Sequence, residues 1–118
     1  MIFIKRAYEP ADSKDGYRVL VDRLWPRGLG KNKAKVDLWL KEIAPSGELR
    51  KWFGHREEKW LEFRKGYRKE LKAKEDLLER LWALSQKHKK LTLLYGAKDE
   101  KHNQAVVIAE VLKRRKTD

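Results

Sequence analysis

With 118 residues the chain is long enough for one domain and one hydrophobic core, and no break in composition suggests a second. Charged residues make up 41% of it, against roughly 25% in ordinary globular proteins, and 30 Lys plus Arg against 18 Asp plus Glu leave a formal net charge of +12. Five tryptophans, four tyrosines and three phenylalanines exclude a disordered chain, and the lack of cysteine excludes disulfides, thiol catalysis and Cys-type zinc sites.

Residues 2–6, Ile-Phe-Ile-Lys-Arg, read as a first strand ending in two cations. Because Lys5 and Arg6 follow the apolar stretch rather than precede it, the N-terminus does not read as a signal peptide. No apolar run approaches the roughly 18 residues of a membrane span. The expected setting is the cytoplasm, with no membrane partner. Residues 8–15 carry Pro10, Asp12, Ser13 and Asp15 ahead of Gly16 and read as a loop.

A second strand is expected at about 17–23, where Val19 and Val21 alternate with Leu20 and Asp22 before Pro26 and Gly28 end the pattern. Residues 29–35 form a polar connection with room for a helical turn at 31–34. The next segment fits two templates. Val36, Leu38 and Leu40 alternate like a strand, while Val36, Trp39, Leu40 and Ile43 fit a helical stripe. A short strand at about 36–41 is the preferred reading.

Ser46 precedes an acidic first turn at Glu48, and Gly54 follows Phe53 as a stop, which frames a short helix. Trp60, Phe63, Tyr67 and Leu71 then recur at helical spacing, and a further helix carries Leu77, Leu78, Leu81 and Leu84 near 75–88. Leu91 to Tyr95 is a nearly continuous apolar run, the pattern of a strand buried on both faces of a parallel sheet. The last helix, at about 102–115, ends in cations that complement its dipole. Strands at both ends of a helical middle imply an α/β fold with a mainly parallel sheet of three or four strands.

In an open α/β sheet, ligands bind beyond the carboxyl ends of the strands. Three charged groups fall there: Lys5 with Arg6; Asp22 and Arg23 with Trp25 and Arg27; and Tyr95 with Lys98, Asp99, His102 and Asn103. Arg6, Arg23, Arg27 and Lys98 are candidates to hold an anion, Asp22 to orient them, Trp25 and Tyr95 to wall the site, and Asn103 to contact the ligand. His102, with Asp99 three residues before it, is the candidate for proton transfer. The plain alternatives are solvated loop cations, an ion pair between Asp22 and an arginine, and an Asp99 that only caps the final helix.

Three scattered histidines show no metal-ligand spacing. Gly28 and Gly30 lack the spacing of a phosphate-binding or dinucleotide motif, so no cofactor is expected. The residues support three functional readings: a pocket for a small phosphate- or nucleotide-like anion, a basic nucleic-acid-binding module, or a protein-interaction module without catalysis. A solvated Lys/Glu-rich surface, as in heat-adapted proteins, explains the charge equally well. No reaction is legible.

The segments 16–28 (Gly-Tyr-Arg-Val-Leu-Val-Asp-Arg-Leu-Trp-Pro-Arg-Gly), 39–46 (Trp-Leu-Lys-Glu-Ile-Ala-Pro-Ser), 49–55 (Leu-Arg-Lys-Trp-Phe-Gly-His) and 93–103 (Leu-Leu-Tyr-Gly-Ala-Lys-Asp-Glu-Lys-His-Asn) together resemble the YeaO-like branch of the domain-of-unknown-function family 488. The resemblance covers nearly the whole chain in the same motif order. It implies a small α/β protein, and it marks out the same strand-end residues. Longer relatives end the last strand in a Cys-His-Arg-type motif. This chain has His102-Asn103 without the cysteine, so no thiol or metal role is carried over.

Overall fold

The computed structural model describes residues 1–117, with side chains placed through Arg115. Four strands form one sheet in the order β1-β4-β2-β3: β1 (Ile2–Arg6), β2 (Tyr17–Leu20), β3 (Leu38–Trp39) and β4 (Leu91–Tyr95). Every neighbouring pair is parallel, with Ile4 opposite Leu93, Val19 opposite Leu93 and Val19 opposite Leu38. Among the described residues there are five α-helices: α1 (Lys31–Ala34), α2 (Gly47–Phe53), α3 (Trp60–Lys72), α4 (Glu75–His88) and α5 (Gln104–Thr117). None is long and apolar enough to cross a membrane.

Strand alternation divides the side chains between the two faces of the sheet. Leu91, Leu93 and Tyr95 of β4, Val19 of β2 and Ile2 of β1 join the main core, which α3, α4 and α5 cover with Phe63, Tyr67, Leu71, Leu78, Leu81, Ile108 and Leu112. Leu20 and Leu94 face the other way, into a smaller cluster with Ala7, closed by Trp25, Leu29, Val36 and Trp39. All five residues of β4 are buried, as its apolar run requires.

The second face also carries charge. Lys5, Arg18 and Thr92 project from three different strands toward the 3-10 turn Ser13–Asp15. Lys5 Nζ donates to both oxygens of Asp15 at 3.2 and 3.0 Å, Arg18 Nη1 makes a short contact to Asp15 Oδ2, and Thr92 Oγ1 donates to the Asp15 carbonyl at 2.6 Å. Arg18 also donates to the carbonyls of Ala34 and Lys35, at 2.7 and 3.1 Å. A buried guanidinium in the middle of a strand is thus fully partnered.

Two strands are shorter than the apolar patterning suggests. The strand expected at 36–41 keeps only Leu38–Trp39: Leu40 N still bonds Leu20 O at 2.9 Å, and the chain then turns away at the 3-10 turn Lys41–Ile43. On the other side, the Asp37 carboxylate takes the Arg18 N–H at 2.9 Å, where a strand would offer a carbonyl. The strand expected at 17–23 ends at Leu20; Val21 N still bonds Leu94 O at 3.1 Å, and at Asp22 the chain leaves the sheet. The last helix begins at Gln104 rather than 102, since the Asn103 side chain caps it, accepting the Val106 N–H at Oδ1 at 3.2 Å, and also donates from Nδ2 to Asp99 O at 2.9 Å. Ser46 caps α2 as its sequence implies, accepting the Leu49 N–H at 3.2 Å, and Gly54 ends it at φ 52°.

Candidate functional site

Because all four strands are parallel, their carboxyl ends lie along one edge, and because β4 and β2 are neighbours, the segments that follow them meet. The meeting point is a hydrogen bond from Gly96 N to Asp22 Oδ2 at 2.8 Å. A cavity of about 420 Å³ opens over it. Gln104, the first residue of α5, closes the other side of the carboxylate with a short contact from Nε2 to Asp22 Oδ1. Glycine at 96 leaves the carboxylate its place, since a Cβ there would stand 2.9 Å from Asp22 Oδ2 and push it aside.

The segment 22–29 is tied down at several points. Trp39 Nε1 donates to Asp22 O, Trp25 Nε1 to Leu29 O and Tyr8 Oη to Arg27 O, each at 2.7 Å, and Arg23 Nη2 reaches Pro45 O at 3.1 Å. Trp25 also meets Trp39 edge-on, with ring centroids 5.5 Å apart. Gly28, at φ 77°, turns the chain in a left-handed conformation that favours glycine. The deep wall is aromatic: Phe53 and Phe63 stack with centroids 4.3 Å apart and are almost fully buried.

Three guanidinium groups, those of Arg23, Arg27 and Arg50, line the cavity and are exposed to solvent. His55 joins them at the rim, in a left-handed conformation at φ 58°. Among the described lining residues, Asp22 is the one carboxylate. Burial pushes its carboxyl up to about 6, against the Gly96 N–H, the Gln104 amide and the positive field of His55, which all act to lower it.

Asp22, Arg23, Trp25, Arg27 and Asn103 all line this cavity. The other strand-end residues lie elsewhere. Arg6 sits behind the wall: its Nε donates to Ala97 O at 2.9 Å and its Nη2 to Gly96 O at 3.3 Å, and its guanidinium lies 4.7 Å from the Tyr8 ring centre. It therefore props the turn that aims the Gly96 N–H. Tyr95 is buried beneath the edge, where burial raises its hydroxyl pKa. Lys98 is exposed.

Asp99 and His102 do meet, with Nδ1 and Oδ2 2.8 Å apart, and the His102 ring rests edge-on against Trp60. The same carboxylate accepts the N–H groups of Lys101 and His102 at 2.9 and 3.1 Å. The hydrogen bond from His102, followed by that of Lys101 N–H, holds the Asp99 carboxyl below the usual carboxylate range. The pair closes a turn ahead of α5 and does not line the cavity.

Tyr8, Arg50, His55, Phe53 and Gln104 enter the cavity without having been singled out from the strand ends. Arg50, Phe53 and His55 come from α2 and the turn after it, an element the patterning presents only as a capped helix. Their signal was the 49–55 motif itself, in which arginine, phenylalanine and histidine surround Gly54. Among the described residues, no group of three acidic or histidine side chains is arranged to hold a metal ion.

A family model described as the inactive DUF488-N3 subclade matches residues 1–118. The uncharacterized protein YeaO of Escherichia coli K12 is 48% identical over 109 residues, which span 92% of this chain and 94% of that one. The uncharacterized proteins Mb3100c of Mycobacterium bovis and Rv3073c of Mycobacterium tuberculosis H37Rv are each 48% identical over 68 residues, 58% of either chain. No solved structure matches the chain.

Proposed function

Since the chain belongs to the family described as the inactive DUF488-N3 subclade, we propose that its carboxyl-edge cavity binds a small phosphate- or nucleotide-like anion without turning it over. The observation that carries this reading is the charge of the lining: three arginines against one carboxylate, and that carboxylate engaged by Gly96 and Gln104 rather than by a cation. Among the described residues the guanidinium groups of Arg27 and Arg50 make no hydrogen bond or ion pair, so a ligand displaces no protein partner to reach them. Guanidinium groups suit phosphate because their planar fork offers paired donors. The ties on residues 22–29 hold part of the site in place before binding, which lowers the ordering cost. The family description supports binding over catalysis, as does the position of the Asp99–His102 pair outside the cavity.

Calorimetric titration tests the proposal. Inorganic phosphate and mononucleotides bind the native chain at low salt, and the triple variant Arg23→Ala, Arg27→Ala, Arg50→Ala weakens that binding at least about tenfold. Its melting temperature falls little, since exposed side chains contribute little to stability. Equal binding by the variant, or no binding by the native chain, would sink the proposal.

A second reading, nucleic-acid binding, rests on a separate groove of about 600 Å³ between α3, α4 and α5. Lys65, Arg68, Lys69 and Lys72 line it and make no ion pair among the described residues, although Glu110 attracts Arg68 from a distance, whereas Arg64 is paired with Glu110, and Arg115 with Glu75 and Glu79. Burial first, then the nearby charges of Arg64 and Arg114, press the Arg68 pKa below its ordinary value. A phosphodiester backbone relieves that crowding of like charge.

A further inference from the structure

A cavity ringed by arginines has no electrostatic need of a carboxylate on its wall, yet Asp22 is there and is held in place. A carboxylate offers about four acceptor positions on its two oxygens. The Gly96 N–H fills one on Oδ2 and the Gln104 amide fills one on Oδ1. One acceptor position on each oxygen is left, on a group that burial has partly stripped of water. The complement of two adjacent acceptors is two adjacent N–H donors, the pairing that makes bidentate contacts strong.

The neighbouring walls are flat. Phe53 and Phe63 stack on each other, Trp25 is locked by its indole N–H on Leu29 O, and Pro26 is buried beside Gly96. The half-buried indole of Trp25, which lines the cavity, gives a planar ring a surface to stack on, while Phe53 and Phe63, almost fully buried, close the wall against water. The volume of about 420 Å³ lies in the range of about 300–1,000 Å³ typical of sites for one small molecule. At the mouth stand Arg23, Arg27 and Arg50.

We infer that the anion is a guanine-type mononucleotide, its ring N–H and exocyclic amino group donating to Asp22 and its phosphate meeting the arginines at the rim. The inference rests on the anion-binding reading above and gives it a ligand class. Adenine presents an acceptor where guanine presents its ring N–H, and its lone pair opposes the carboxylate. Hypoxanthine keeps the ring N–H and loses the amino group. Sites built to hydrogen-bond a donor reject analogues that lack it, because their own polar group is left unpaired.

Calorimetry on the full chain with GMP, IMP, AMP and inorganic phosphate tests this, on native protein and on Asp22→Asn. Asn at 22 can still accept from Gly96 and donate to Gln104 once that amide turns over, so the variant keeps the local hydrogen bonds. Native protein binds GMP at least about tenfold more tightly than IMP or AMP. In Asp22→Asn that advantage disappears while AMP affinity stays within about threefold, since the phosphate contacts are untouched. Gly96→Ala, which drives a Cβ against Asp22 Oδ2, reproduces the loss of the GMP preference. Equal affinity for GMP and AMP in the native chain overturns the guanine assignment and leaves anion binding standing. Binding of neither nucleotide nor phosphate overturns both. An undiminished GMP preference in Asp22→Asn also overturns the assignment.

Discussion

Burial pushes the Asp22 carboxyl up to about 6, and the consequence for stability follows from its sign. The folded chain holds this proton more tightly than the unfolded chain does, so stability falls as pH rises from about 4 to about 6 and stays lower above that. The rise from 3.8 to about 6 corresponds to about 3 kcal/mol as an upper bound. Asp22→Asn removes the ionisation and keeps the hydrogen bonds. It is expected to be more stable than the native chain at pH 7 by about 1–3 kcal/mol and indistinguishable near pH 4. Urea melts at the two pH values measure this; an Asp22→Asn chain no more stable at pH 7 would show that the carboxylate is well solvated there. A binding site commonly retains a group that costs stability. At this scale Asp22, Arg23, Trp25, Arg27 and Asn103 were legible in the sequence, because charge and aromatic rings beyond a strand end have one edge to occupy. Arg50 and His55 were not, since nothing in a capped helix says which strand end it will face.

Three elements are joined at one carboxylate. Asp15, in the turn before β2, binds Lys5 of β1 and Arg18 of β2, and Arg18 in turn holds the carbonyls at the end of α1. Burial alone raises the Asp15 pKa, but the Asp12 N–H, Lys5 and Arg18 outweigh it and leave it below its ordinary value. Its contribution is therefore present at neutral pH and is lost as pH falls through the folded-state value. Asp15→Ala strands the Arg18 guanidinium, 4% exposed, without its counter-charge. The expected loss is about 3–5 kcal/mol in urea denaturation at pH 7, and a loss under about 1 kcal/mol would mean that the carbonyls of Ala34 and Lys35 suffice. Gly16 makes this turn fit, because a Cβ there would meet Lys90 O at 2.4 Å and the backbone sits at φ 67°. The apolar patterning identified the strands, turn residues marked the loop before β2, and the polar connection at 29–35 left room for α1; what the patterning missed was strand length. β3 stops after two residues because the Asp37 side chain and the turn at 41–43 take over its hydrogen bonds, and neither is visible in an apolar pattern.

For the whole molecule, the question is whether a net charge of +12 acts as a field or only as solvation. The groove between α3, α4 and α5 gathers four cations that make no ion pair among the described residues, and it contains no aromatic ring among its described lining residues. It therefore suits a phosphate backbone and not stacked bases. If all four cations engage phosphates, the logarithm of the binding constant for duplex DNA falls with the logarithm of salt concentration at a slope of about −3 to −4. Reversing charge in Arg68→Glu, Lys69→Glu and Lys72→Glu abolishes that binding and leaves phosphate titration at the carboxyl-edge cavity unchanged. A gel-shift assay without binding at low salt removes the nucleic-acid reading.

The sequence alone determined the α/β class, the parallel sheet and the buried central strand, since each follows from local periodicity, turn residues and the length of the connections. It also determined which residues would stand beyond the strand ends. Only the tertiary structure decided which of them share a cavity. Strand order does that: with β4 between β1 and β2, Gly96 meets Asp22, while Arg6 on the far side is drawn onto the carbonyls of Gly96 and Ala97. Asp99 and His102, adjacent in every reading of the chain, bond to each other in a local turn and stay outside. Contacts three residues apart can be read along a chain, but the sequence separation of 74 between Asp22 and Gly96 closes only through the packing of the whole sheet.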